Sequence, residues 1–259
     1  MREALTMNTA ERIRLAKQKV DRLLGVTLSV MRQRASNEIV LYTDIISKQV
    51  GRSYAAHAYS SLQRAMFERE MVTLCAMWDP ATDEKRVRDR DSIPAVLSLI
   101  DDENVTRELV AETLEAHLNM GMRSLTAPED EETRKLLEEF YAHRTVKLAE
   151  EQADKAQNWL VDAIELGQKT RDGEMLRAAR HHRDHMIAHV LSRELEKARA
   201  PARVARYGDE KALFDVTIKV VDWLLLGVNG TSFAWDMARQ NEARYAEAFW
   251  SGVTVKALE

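Results

Sequence analysis

Four of the seven histidines fall within ten residues, "RHHRDHMIAH", running from Arg180 to His189. Histidine exchanges a proton near neutral pH. Arginine keeps its charge and matches the geometry of a phosphate. Together they suit acid–base cleavage of a phosphodiester, and RNA carries its own nucleophile in the 2′-hydroxyl, so that chemistry needs no metal and no cofactor. A second chemistry is metal binding, because His182, His185 and His189 recur at i, i+3 and i+7 and imidazole suits several transition metals. No acidic residue lies on that flank, so a fourth ligand would have to come from elsewhere. A third reading involves no chemistry at all. The stretch is then a solvated helix surface, or Arg183 pairs with a carboxylate on a neighbouring helix or reaches past the apolar edge.

A helical wheel over 174–197 separates these side chains. Leu176, Ala179, Met186, Ile187 and Val190 gather on one side, with Arg183 in their midst. The three histidines lie on one flank and Asp184 on the other. A permanently charged guanidinium on an apolar stripe needs a partner or a polar cavity. Arg183 and His189 are about 9 Å apart along a straight axis and on different faces. One helix therefore does not converge them, whereas two copies of the helix facing each other in a homodimer would.

The elements that must position this stretch read as helices. Residues 9–34 carry Ile13, Val20, Leu24, Leu28 and Met31 at helical spacing, with Thr9 able to cap the start. After "ASN", a second helix is expected over 36–48 and a third over 52–78. "DPATDEKRVRDRDS" reads as a solvated loop, because Asp79-Pro80 ends a helix and much of the segment is charged. Ser92 is a cap candidate, with Pro94 in the first turn of "IPAVLSLI". Further helices are expected over 104–121 and 128–169, the latter with a stripe of Leu136, Phe140, Val146, Trp159 and Ile164. The histidine helix, 174–197, is expected to pack against that long helix. "ARAPARVARYGDE" is a basic connector, and helices over 209–227 and 231–250 are split by "GVNGTS", with Thr231 or Ser232 as cap.

Glycine (9) and proline (4) are scarce in 259 residues, which leaves long helices uninterrupted. The expected fold class is all-α: a single helical domain over 10–250, with 1–9 and 251–259 as tails. A net charge of −4 argues against a protein that coats nucleic acid nonspecifically. The single cysteine, Cys75, stands in "MVTLCAMW" and reads as a small core residue in a cytoplasmic setting. No apolar run is long enough to span a bilayer, so no membrane partner is expected. No glycine-rich phosphate loop and no nucleophile elbow is present. Trp159, Trp223, Trp235 and Trp250 follow helical periods, the pattern of core or interface residues rather than base-stacking platforms.

"RDHMIAH" resembles the signature of the HEPN superfamily: an arginine, often followed by a polar residue, and a histidine after four to six intervening residues. Arg183 is followed by Asp184, and five residues separate it from His189. Arg52–His57, Arg177–His182 and Arg180–His185 meet the bare spacing too. Arg183–His189 differs in its polar second residue, its apolar "MIA" filling and its long-helix setting. "QRAMFEREMVTLCAMWD" and "FDVTIKVVDWLLLGVNG" are similar to the abortive-infection (AbiU-type) branch, and the resemblance spans about 10–250. It implies a helical, usually dimeric bundle and a metal-independent endoribonuclease of an abortive-infection or toxin–antitoxin system. Some members of the superfamily only bind RNA or nucleotides. The implied catalytic residues are Arg183 and His189, with Asp184 as polar helper and His185 as a second proton carrier. Arg177, Arg180 and His182 are candidates for RNA binding. The implied partners are RNA, a second copy of the chain, and an antitoxin or defence-system protein.

Overall fold

The computed structural model describes residues 6–119, 131–184 and 205–255. Their regular structure is entirely helical, as the sequence predicts. In chain order the helices are α1 (Thr9–Tyr42), α2 (Ser47–Val50), α3 (Ala55–Met77), α4 (Glu84–Asp89), α5 (Ile93–Ile100), α6 (Glu103–Asn119), α7 (Glu131–Asp172), α8 (Glu174–His182), α9 (Asp209–Val228) and α10 (Trp235–Gly252).

The 34-residue α1 is the spine, touching α3, α5, α6, α9 and α10. Its cap is Asn8 rather than Thr9, with Asn8 Oδ1 accepting from the Glu11 amide at 2.9 Å. The break expected after "ASN" does not occur. Asn37 turns inward, where its amide group has acceptors, so a residue that favours turns is held inside the helix. The buried row of α1 runs Ala16, Val20, Leu23, Thr27, Val30, Arg34, Asn37, spaced alternately by four and three. Leu24 flanks that row, half-buried.

The apolar helix α5 lies in the middle, with Ile93, Ala95, Val96, Leu99 and Ile100 all fully buried. The C-terminal half of α7 packs on α9 and presents small residues: Ala153, Ala156 and Ala163 are buried together with Leu160. Close approach is needed there. A Cβ added to Gly227 of α9 would lie 2.9 Å from Leu160 Cγ and 3.4 Å from the Ala156 carbonyl oxygen. The stripe expected on the long helix is therefore corrected. Leu136, Phe140 and Val146 are exposed, because the N-terminal half of α7 pairs with α6 as an antiparallel arm beyond the main core.

The charged segment 79–92 also departs from a plain loop. It contains α4, whose Val87 is buried, and it is tied down from beneath by Lys19. The buried ammonium of Lys19 donates to the carbonyls of Arg88 (3.0 Å) and Arg90 (2.7 Å) and contacts Asp91 Oδ1 at 3.2 Å. Met7, placed in a tail by the sequence, is part of the same core. The helix expected from residue 231 begins at Trp235 after Ala234, and neither Thr231 nor Ser232 caps it.

Candidate functional site

The site is assembled where α8 meets the end of α3. Gly173 breaks the chain after α7, and α8 turns back to contact α3, α7 and α9. Leu176 and Ala179 face the core, as the helical wheel requires. Spacing of i, i+3 puts Arg180 and Arg183 on one face. Both reach the residues that follow α3: Arg180 Nη2 donates to the Trp78 carbonyl, and Arg183 Nη1 donates to Asp79 Oδ1 at 2.8 Å.

The receiving end is rigidly built. Trp78 is fully buried, and its indole N–H donates to Thr217 Oγ1 at 2.8 Å. The Asp79 amide closes a tight turn onto the Ala76 carbonyl at 3.1 Å. The Asp79 carbonyl accepts from Ser92 Oγ at 2.8 Å. Ser92 precedes α5 as expected, but its hydroxyl holds Asp79 instead of capping the helix. The second carboxylate oxygen of Asp79 faces Arg90 Nη1 at 3.4 Å.

Arg183 is thus flanked by two carboxylates, because its Nε also donates to Asp184 Oδ1 at 2.7 Å. Burial opposes the cation, yet the bonds to Asp184 and Asp79 outweigh it and hold the Arg183 pKa above the ordinary arginine value. Among the described residues two of its five N–H groups are engaged, by Asp79 and Asp184. The winding widens into a π-type turn at Arg183 and Asp184, a local change of helix geometry that recurs at functional sites.

The other candidates fall in different places. Arg177 is exposed on α8. Arg180 is half-buried, and burial lowers its pKa. His182 packs edge-on against Phe67, with ring centroids 5.6 Å apart. Burial lowers its pKa as well, which favours the neutral ring. His185 and His189 lie outside the described residues, so two of the three histidines of the metal reading, and the proton carriers of the acid–base reading, are among those not described. Cys75 is buried beside the two arginines, and burial pushes its thiol up to about 12, in keeping with a core role.

Asp79 is the site residue that sequence reasoning did not select. Its signal in the sequence is the pair Trp78-Asp79 before a proline, which marks a helix end and closes the "QRAMFEREMVTLCAMWD" segment of the resemblance but assigns Asp79 no role. A second charged cluster also went unmarked. Arg34 Nη1 meets Glu70 Oε1 at 2.7 Å and lies 3.8 Å from Glu210 Oε1. Asn37 Nδ2 donates to Glu70 Oε2 at 2.5 Å, and the Tyr42 hydroxyl donates to Glu210. Glu70 and Glu210 are both fully buried. Burial, with Glu210 adding to it, raises the Glu70 pKa in spite of Arg34.

Among the described residues no helix is long and apolar enough to cross a membrane. No curated protein and no solved structure matches the chain. A protein-family model, HEPN_AbiU2, described as AbiU2, matches residues 17–249. That match takes in every helix that builds the Arg183 site, and the chain belongs to the HEPN AbiU2 family, abortive-infection-related HEPN domains.

Proposed function

We propose that the protein is a metal-independent endoribonuclease acting in phage defence, with Arg183 as its phosphate clamp. The observation that carries the reading is the Arg183 guanidinium: permanently charged, oriented by Asp79 and Asp184, and still partly open to solvent. The RNA 2′-oxygen attacks the adjacent phosphorus while a base removes its proton. As the 2′-O–P bond forms, the P–O5′ bond breaks and an acid protonates the leaving 5′-oxygen. The products are a 2′,3′-cyclic phosphate and a 5′-hydroxyl.

Arg183 neutralises the charge that grows on the phosphorane-like centre. His189 serves as base or acid, and His185, four residues before it in the chain, is the second proton carrier. The bond from Arg183 Nε to Asp184 supports Asp184 as the residue that sets the guanidinium plane. A homodimer would bring two copies of this helix to a shared cleft, and a defence-system protein would restrain the activity. The test is RNA cleavage in chelator, with end-group analysis of the products. Arg183→Ala and His189→Ala are each expected to lose about 10²–10⁴-fold in rate. Cleavage unchanged in both would place the chemistry elsewhere. Wild type that binds RNA without cutting it would instead identify a binding module.

A further inference from the structure

Just before α9 the chain sets an aromatic ring on the surface. Tyr207 is 64% exposed, yet its ring is held. It meets the buried Phe67 of α3 with centroids 4.7 Å apart, and Tyr42 of α1 edge-on at 6.5 Å. The backbone on either side is fixed as well. The Arg206 amide donates to Asp209 Oδ2 at 2.8 Å, and the Asp209 amide donates to the Arg206 carbonyl at 3.1 Å. Gly208, at φ 100°, turns the chain into α9, and its amide donates to the buried Glu210 at 2.8 Å. The Tyr42 hydroxyl donates to the same Glu210. Tyr207 therefore stands on a frame made from α1, α3 and α9.

Single exposed aromatics are ordinary on protein surfaces. Tyr207 differs in its rigidity and in its neighbours. A ring that is already fixed loses little further freedom when a flat partner lies on it. Arg64, three residues before Phe67 on α3, has a side chain 61% exposed and stands within electrostatic reach of both Tyr207 and His182. The bond from its Nε to Glu68 Oε1 at 2.7 Å orients the guanidinium. Arg206, beside Tyr207 in the chain, is exposed too. The carboxylates at this place, Glu68, Asp209 and Glu210, are each engaged by an N–H group of the protein. The ring is also continuous with the Arg183 site. Phe67 touches the His182 ring at 5.6 Å, and His182 precedes Arg183 in the chain. From Phe67 to Asp79, which holds Arg183, is about 18 Å along the helical rise. A flat aromatic face beside arginine suits an unpaired base and its phosphate.

We propose that Tyr207 is a base-stacking platform for single-stranded RNA, with Arg64 holding a backbone phosphate beside it, a few nucleotides from the bond cut at Arg183. The proposal takes its ligand from the ribonuclease reading.

The test uses a 2′-O-methyl oligonucleotide of about eight nucleotides, which cannot be cut, with the fluorescent base 2-aminopurine placed at each position in turn. Wild type should bind it and quench the fluorescence at the stacked position. Tyr207→Leu keeps apolar bulk and removes the aromatic face, so it should weaken binding about tenfold and abolish the quenching. Tyr207→Phe should bind within about twofold of wild type, with the quenching intact. Arg64→Gln should lower the salt slope of binding by about 0.7, and an unchanged slope would contradict the phosphate contact. Circular dichroism checks that the variants stay folded. The platform is overturned by wild type that does not bind the oligonucleotide or quenches it at no position, and by Tyr207→Leu that binds and quenches as wild type does. The two readings fail separately. Arg183-dependent cleavage with unaltered binding in Tyr207→Leu removes the platform alone. Absence of cleavage, with binding that depends on Tyr207, removes the ribonuclease reading alone.

Discussion

Arg34 and Arg183 each meet more than one carboxylate, and their settings differ. Arg34, with Glu70 and Glu210, lies inside the bundle with side-chain exposures of 7%, 0% and 0%, while the exposed Glu38 reaches its Nη2 from the rim at 3.3 Å. Arg183, with Asp79 and Asp184, lies at its edge with 22%, 30% and 46%. In the interior, every charge must be answered by protein, because no water can do so. At the edge, the same set of charges orients a cation and leaves it able to meet an anion from solution. Ion pairing alone therefore does not distinguish a structural arginine from a functional one; access does.

The sharpest contrast is expected in stability. Arg34→Met leaves two buried carboxylates without their cation and should cost about 3–5 kcal/mol, read by chemical denaturation. A loss below about 1 kcal/mol would break the comparison, for Arg34 would then behave as a surface ion pair. Next in size is Thr217→Val, which strips the acceptor from the buried Trp78 indole and should cost about 1–3 kcal/mol. Because Trp78 holds the turn that presents Asp79, cleavage should fall in this variant even under conditions where it is fully folded. A smaller effect is a pH slope. The Glu70 pKa is raised in the folded state, chiefly by burial. Its contribution is fully present below the ordinary carboxylate range and is lost as pH rises through the raised value. Glu70→Gln should therefore flatten the decline in melting temperature over that window, and a profile parallel to wild type would contradict the assignment.

The periodicity of the apolar residues made the helices legible, and residue type made Arg183 legible as an anomaly on an apolar face. Its partner was not legible. Asp79 stands 104 positions away, and nothing local in "MWDP" says which helix will meet it. The charged loop was misjudged for the same reason, since Lys19, far away in the chain, supplies the donors that bury its carbonyls. On α7 the large apolar residues suggested the core face, whereas close approach to Gly227 selected alanines. Arg34 is illegible for a related reason: "ASN" reads as a break, whereas the Glu70 carboxylate and the Met66 carbonyl, both on α3, hold Asn37 inside the helix.

The comparison is tested most directly by measuring RNA cleavage and unfolding on one variant, Arg183→Ala, beside wild type in chelator. Arg183 pairs with partly exposed carboxylates, so its removal should cost at most about 1 kcal/mol of stability, while cleavage should fall about 10²-fold or more. Wild-type cleavage accompanied by a large loss of stability would contradict the account, making Arg183 a second Arg34.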